Sequence, residues 1–242
     1  LKQCWNADRS TGISLSGGVD SSLLTAISVD DHLIERVKTF SVVFDDSRNK
    51  YSPKRSEEEY INHVVEKFGI IAKKSKFSDY KLQTALLKSI ILNEQPLYSI
   101  NTVLYYLHAK DIKDDVTVLL NGEGADDIFL GYYDGIKVDS EEKFVKSFNS
   151  KRNLKTLFGP DGYNKAADGR VKLLSDDRFR EMSEKQKASA YTIETILHGL
   201  LSRHDKMFMS NSIEGRPVFC SKELVHLRFS ISDELIHDGT NG

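Results

Sequence analysis

Cysteine is scarce. The chain has two, Cys4 and Cys220, too few for a disulfide framework or a zinc site, so a reducing compartment, the cytoplasm, is expected. Charge of one sign is missing too: 34 basic residues face 36 acidic ones, a net charge of −2, and nothing in the balance points to nucleic acid. No apolar run approaches membrane-spanning length and no signal-peptide pattern opens the chain, so a membrane partner is not expected either. Internal repeats and low-complexity tracts are absent. The first residue is Leu rather than Met, which reads as a processed form, a fragment or an excised domain. What remains, 242 residues with 39% hydrophobic and 29% charged content, fits one large soluble α/β domain.

One stretch stands out: Ser16-Gly17-Gly18-Val19-Asp20-Ser21-Ser22. Ile13-Ser14-Leu15 leads into it and Leu23–Ile27 leads out, a strand, tight turn and helix. Two glycines let the backbone turn sharply and approach a ligand. The first N–H groups of the following helix lack intrahelical partners and favour a phosphate, and Ser16, Ser21 and Ser22 add hydroxyl donors. Asp20 would repel phosphate directly, and its natural task is to hold Mg²⁺, which bridges to phosphate oxygens. No Lys follows the glycines, so this is not the GxxxxGK[ST] loop. The bland alternative is a serine- and glycine-rich turn that caps a helix.

The surrounding pattern alternates. Strands are expected at Gly12–Leu15, Val37–Phe44, Ile70–Ala72 and Val116–Leu120. Helices are expected at Asp20–Ser28, at Ser56–Phe68 with Gly69 as its stop, at Lys81–Leu92 with Leu82, Ala85, Leu86 and Ile90 inward, and at Thr102–Ala109. Asp45–Pro53 reads as a loop, and Leu1–Asp8 as the end of a helix. That order predicts a doubly wound parallel sheet with helices on both faces. A mostly helical part follows from Glu141, with turn signals between Asn149 and Asp177 and a long helix over Ser183–Leu201. The expected organisation is one domain over 1–242, with an α/β nucleotide-binding core to about residue 135 and a helical part after it.

A second constellation follows the fourth strand. In Asn121-Gly122-Glu123-Gly124-Ala125-Asp126-Asp127, glycines flank Glu123 and three carboxylates fall within five positions. With a helix starting near Ala125 they crowd its amino end and call for a counterion such as a metal. Asp126 is assigned to Mg²⁺ together with Asp20, and Glu123 to a base or to positioning the reactants. A solvated acidic turn is the alternative.

The first stretch resembles the SGGxDS loop of the ATP pyrophosphatases, whose fold is that of the adenine nucleotide alpha hydrolases. Leu119–Tyr132, LLNGEGADDIFLGY, resembles the LSGEGADEIFGGY motif of glutamine-hydrolysing asparagine synthetases. Leu200–Phe219 is similar to that family's LxRxDRxSMAxSxExRxPF segment, Leu92–Pro96 to an LDEP-like stretch, and Phe40–Phe44 to its FSIGF strand. The matches run in family order across nearly the whole chain.

The resemblance implies ATP and Mg²⁺. Ser16, Gly17, Gly18, Asp20, Ser21 and Ser22 would hold pyrophosphate and metal, and Leu15 and Val42 would line the adenine pocket. Gly122 and Glu123 would sit at the nucleotide and the reacting carboxyl, with Glu123 catalytic, and Asp126 would take Mg²⁺. It implies adenylation of a carboxylate, aspartate first, then amidation by ammonia from a glutaminase domain or subunit, or by free ammonia; a homodimer is an allowed assembly. Another carboxylate (a sugar acid, peptide or β-lactam-type metabolite) or a non-catalytic ATP-binding remnant are the alternatives. Arg203, Asp205, Glu214 and Arg216 read as a buried ion network, or else reach the substrate.

Three departures bear on the substrate: Asn121 for the usual Ser, Asp127 for Glu, and Lys206 where Arg is common. No glutaminase domain precedes the first strand. The family's lysine-bearing segment would follow Leu235-Ile236-His237-Asp238-Gly239, where this sequence ends. The expectation is therefore a fragment that binds ATP and turns over weakly alone.

Overall fold

The computed structural model describes residues 1–5, 7–31, 38–43, 57–97, 99–131 and 176–236, with isolated positions at 159, 164, 165 and 172. The chain forms two compact units: Leu1–Glu123 with Leu200–Val218, and Gly124–Gly199 with Phe219–Gly242. The expected loop at Asp45–Pro53, the Ser56 cap, and most of the turn signals between 149 and 175 lie outside the described residues.

The first unit is built on five parallel strands. β1 (Thr11–Ser14), β2 (Lys38–Val43), β3 (Ala72–Lys76), β4 (Val118–Asn121) and β5 (Glu214–Pro217) lie in the order β3-β2-β1-β4-β5. Ile13 sits opposite Thr39 on one side and Leu120 on the other, and Leu120 sits opposite Arg216. Parallel pairing needs crossover connections. Helices α2 (Val19–Asp30), α3 (Glu57–Phe68), α4 (Asp79–Asn93) and α5 (Asn101–Ile112) lie on them, after a short α1 (Lys2–Trp5).

Neighbouring residues of a strand face opposite sides of its sheet. In β2, Phe40 packs with Ala109, Ile112, Leu119 and Phe208, whereas Val43 packs with Leu15, Ile61 and Val64. Helices therefore cover both faces, as the alternating pattern implied. β4 is buried along its whole length, in keeping with its continuous apolar run.

Several elements differ from expectation, each for a physical reason. β3 is not Ile70–Ala72 but Ala72-Lys73-Lys74-Ser75-Lys76. Ile70 N–H instead bonds the Val65 carbonyl at 3.1 Å as α3 ends at Gly69 (φ 63°). β3 is an edge strand, and lysines on an edge leave no apolar signature. α4 begins at Asp79, capped by Ser78, and turns Leu82, Ala85, Ser89 and Asn93 inward. Leu86 and Ile90, expected inside, are exposed. The polar pair is tolerated because Ser89 Oγ donates to the Ala85 carbonyl at 2.9 Å and Asn93 Nδ2 to that of Gln95 at 3.1 Å. β5 falls in a region read as helical; with Gly215 and Pro217 it carries little strand propensity, and pairing with β4 defines it.

In the second unit, α6 (Ala125–Phe129) starts where expected. α7 (Glu184–Thr192) opens with a capping box: Gln186 N–H donates to Ser183 Oγ at 3.1 Å and Ser183 N–H to Gln186 Oε1 at 3.0 Å. A π-helical turn, Ile193–Leu197, follows, and α8 (His198–Met209) continues it, so the expected helix Ser183–Leu201 is a run of α, π and α segments. Thr192 Oγ1 donates to the Asp127 carbonyl at 2.6 Å, tying α7 to α6. In α9 (Lys222–Ser230) the fully buried Arg228 donates from Nε to Ser189 Oγ at 3.0 Å. A short α10 (Asp233–Ile236) follows.

Phe40 is fully buried at the centre of the first unit. Phe40→Ala is expected to cost about 3–5 kcal/mol, read as a lower urea midpoint at unchanged slope.

Candidate active site

β1 and β4 are neighbours, yet the chain leaves β1 toward β2 and β3 on one side and leaves β4 toward β5 on the other. Such a reversal opens a crevice at the carboxyl ends of the two strands, where ligands of open α/β sheets bind. Both motif loops lie there.

In the first loop, Leu15 N–H still reaches the Phe40 carbonyl at 2.7 Å, and its own carbonyl accepts Ser41 Oγ at 2.6 Å. Gly17 then takes φ 82°, and a Cβ there would fall 2.7 Å from Tyr60 Cβ, so α3 presses against the turn. Gly18 is the N-cap of α2 in extended geometry and offers no side chain to the first-turn N–H groups. Ser21 is buried and holds the loop in shape: its Oγ accepts Ser16 N–H at 3.1 Å and lies 3.2 Å from the Gly18 carbonyl and 3.0 Å from Ser16 Oγ. Ser16 is exposed but tied into the same turn, its Oγ donating to Ser21 Oγ at 3.0 Å and accepting Gly18 N–H at 3.3 Å, whereas the half-buried Ser22 keeps its hydroxyl toward a ligand.

The second loop touches the first. A Cβ on Gly122 would lie 2.9 Å from Asp20 Cβ. Asn121 is buried; its Oδ1 accepts Glu123 N–H at 3.0 Å and its Nδ2 lies 3.2 Å from His204 Nε2. The Glu123 carboxylate is gripped at both oxygens: Tyr105 Oη donates to Oε2 at 2.8 Å and Arg203 Nη2 to Oε1 at 3.4 Å. The Arg203 guanidinium is buried and lies 5.2 Å over the Tyr105 ring.

The sheet thus gathers Leu15 to Ser22, Gly122 and Glu123 at one end, with Val42 near the carboxyl end of β2. Leu15 is fully buried among Val43, Ile61 and Val64, so its side chain belongs to the core. Val42 is half-buried against the Phe77 and Leu82 cluster. Asp126 belongs to the second unit, half-buried in the first turn of α6, and Asp127 beside it is wholly buried. Among the described residues no group of three or more His, Cys, Asp or Glu side chains is placed to hold a metal, so the crowded carboxylates do not form a ready-made metal cage.

The expected ion network divides. Arg203 serves Glu123, while Arg216 pairs with Glu214 at 2.8 Å along β5 and donates to the Cys4 carbonyl at 2.6 Å. The Glu214 carboxyl is held below its usual range by that Arg216 hydrogen bond. Lys206 caps the end of α4, donating to the Asn93 carbonyl at 2.9 Å and pairing with Glu94 at 3.0 Å. Sequence reasoning missed Tyr105 and His204. Tyr105 reads as one apolar position among several on α5, and His204 falls where the family pattern specifies nothing.

The family model for asparagine synthase matches residues 1–241, and the chain belongs to that family. It is 28% identical to glutamine-hydrolyzing asparagine synthetase 1 of Bacillus subtilis, over 95% of this chain and 42% of that protein. It is 25% identical to glutamine-hydrolyzing asparagine synthetase 3 of the same organism, over 93% of this chain and 39% of that protein. The chain thus spans about two fifths of the length of these curated relatives. Among solved structures, a U34-tRNA thiolase of Methanococcus maripaludis aligns with 94% of this chain and 79% of that one at 14% identity and a TM-score of 0.35, a level that says nothing of function. No helix among the described residues is long and apolar enough to cross a membrane.

Two imidazoles near this end of the sheet are buried. Burial pulls His204 down to about 4 from the ordinary 6.5, with Arg203 beside it adding to the shift, and burial pulls His108 down to about 4 as well. The unfolded chain binds these protons where the folded chain does not. Stability is therefore expected to be full above pH 6.5, to fall as pH drops through the window, and to level off near 4. The loss is on the order of 3 kcal/mol per histidine, read as Tm against pH.

Proposed function

We propose that this chain binds ATP across the two motif loops and activates a carboxylate, aspartate first, for amide formation. Family membership supports an ATP-dependent ligase role. The observation that carries the reading is the contact of the loops, Gly122 against Asp20, at the reversal of strand order. A substrate carboxylate oxygen attacks the α-phosphorus of ATP; pyrophosphate leaves and an acyl-adenylate remains. Ammonia then adds to the acyl carbon, loses a proton, and AMP departs with the acyl-oxygen bond. The first-turn N–H groups of α2, which have no side-chain cap, and the Ser22 hydroxyl suit the polyphosphate, and Ser16 joins them by exchanging its bonds to Ser21 and Gly18 for phosphate oxygens. Ser21 shapes that cradle from below. Glu123, held by Tyr105 and Arg203, suits orienting the amine and the adenylated carboxyl and accepting the released proton.

Asp20 supplies a hard carboxylate oxygen beside the cradle, the donor chemistry that Mg²⁺ takes. When bound, that ion neutralises phosphate charge and favours departure of pyrophosphate. The relatives are named for glutamine hydrolysis, and ammonia from a glutaminase domain or subunit, or free ammonia, is the proposed nitrogen source. A cytoplasmic enzyme completes the proposal, its nucleotide-binding core being the first unit, Leu1–Glu123 with Leu200–Val218, rather than residues to about 135 with a wholly helical remainder.

The three departures from the family motifs all lie against the rest of the protein. Asp127 is buried, Asn121 binds His204 and Glu123, and Lys206 binds α4: each makes a contact inside the protein.

Two measurements test this reading. Asp20→Asn is expected to lower affinity for Mg-ATP by an order of magnitude or more while leaving metal-free ATP little changed, by calorimetry; equal binding of Mg-ATP would remove the metal assignment. In the full-length protein, pyrophosphate release is expected with aspartate among a panel of carboxylates, and Glu123→Gln is expected to lower it about 100-fold or more. Release with a different carboxylate would move the substrate and keep the chemistry; none with any would end the proposal.

A further inference from the structure

We propose that His204 is a positioning residue for Glu123, acting through Asn121; this rests on the role given to Glu123 above. The direction of each hydrogen bond follows from the atoms. Glu123 N–H can only donate, so the Asn121 atom facing it at 3.0 Å is Oδ1. The other arm of the amide is then Nδ2, which also only donates, and it meets His204 Nε2 at 3.2 Å. Nε2 must offer a lone pair, so His204 is neutral with its proton on Nδ1. Ring, amide and main chain form one line of contacts that ends at the backbone of Glu123.

The ring is locked in place. Phe208 stacks on it with centroids 4.4 Å apart, and Tyr105 meets it edge-on at 5.2 Å. Gly215 of β5 leaves the room it occupies: a Cβ there would fall 2.3 Å from the ring. Tyr105 serves both ends, since the same residue that flanks the ring donates to Glu123 Oε2. Burial and the neighbouring Arg203 charge keep the ring neutral through the working pH range.

The arrangement gives a physical meaning to Asn121. The serine usual at this point of the motif can accept an N–H two residues on by itself, as in an ordinary serine turn. Its oxygen sits one bond from Cβ and its O–H rotates freely, so accepting that N–H does not depend on what the hydroxyl donates to. Asn121 accepts the same N–H but must itself be oriented, and His204 does so. The family pattern specifies neither position 204 nor position 215, and in this chain His204, Gly215 and Asn121 occur as a matched set.

The test uses the full-length protein, with pyrophosphate release and amide exchange of Glu123 as parallel readouts. His204→Leu, which keeps an apolar filling but has no acceptor, is expected to lower kcat about 10- to 100-fold with little change in KM for ATP. It is also expected to speed exchange of the Glu123 amide in the absence of any substrate. His204→Gln, whose Oε1 can accept from Asn121, is expected to restore both. Asn121→Ala, which keeps His204 and the Phe208 and Tyr105 rings that pack on it, should reproduce the loss even if His204→Leu does not fold. In an Asn121→Ser background, His204→Leu should cost nothing further. Equal losses for the Gln and Leu variants, or unchanged Glu123 exchange in His204→Leu and Asn121→Ala, would overturn the inference and leave His204 as packing alone. A wild-type protein that releases no pyrophosphate with any carboxylate would end the proposed function, whereas the exchange comparison still decides the linkage of His204 to Glu123.

Discussion

The parallel pairing of β1 with β4 is the constraint on which the candidate site depends. Their register, with Thr11 beside Val118 and Ile13 beside Leu120, brings the first motif loop and the Gly122–Glu123 turn to the same end of the sheet. Neither loop makes a site alone. The first supplies a helix N-terminus with no side-chain cap and the Ser22 hydroxyl, and the second supplies a carboxylate held at both oxygens. Gly122 lets the two approach as closely as Asp20 allows. Because β1 and β4 are also where the strand order reverses, their connections leave in opposite directions along the sheet. Helix α5 supports the same end through Tyr105, which packs beside the core cluster of Phe40, Leu119 and Phe208.

Glu123 shows how much surrounding structure one half-buried carboxylate recruits. A partly buried charge is costly unless paired and hydrogen-bonded. Here a phenol, a guanidinium and a main-chain anchor share that task, and they come from α5, α8 and the turn itself. Arg203 is in turn buried over the Tyr105 ring, so its charge is stabilised by the π face as well as by the carboxylate.

Much of this was legible in the sequence. The alternation of apolar strands and amphipathic helices predicts the doubly wound sheet, and the double-glycine loop and the Asn121–Asp127 turn predict where its site lies. The misses share a cause. β3 and β5 are edge strands whose lysines, glycine and proline carry no hydrophobic periodicity; the neighbouring strand defines them. Ser21 looks like a phosphate donor because it stands in the loop, yet the hydrogen bonds of the folded turn consume its hydroxyl. Arg203 and Arg216 look alike at sequence level, and only the path of α8 and β5 sends one to Glu123 and the other to Glu214. Tyr105 and His204 carry no motif at all, since what distinguishes them is the direction in which a polar atom points.

The return of the chain to the sheet has a consequence for how this protein is made. β4 is complete at Asn121, but its outer neighbour, β5, is not synthesised until residues 214–217. Throughout that interval on the ribosome, β4 offers an unsatisfied row of main-chain donors and acceptors on a strand of Val, Leu and Leu. Pairings so distant along the chain form late and slowly. The nascent chain therefore carries an adhesive edge while residues 122–213 are made, and sheltering that edge is a natural task for a chaperone or for an early-folding neighbour.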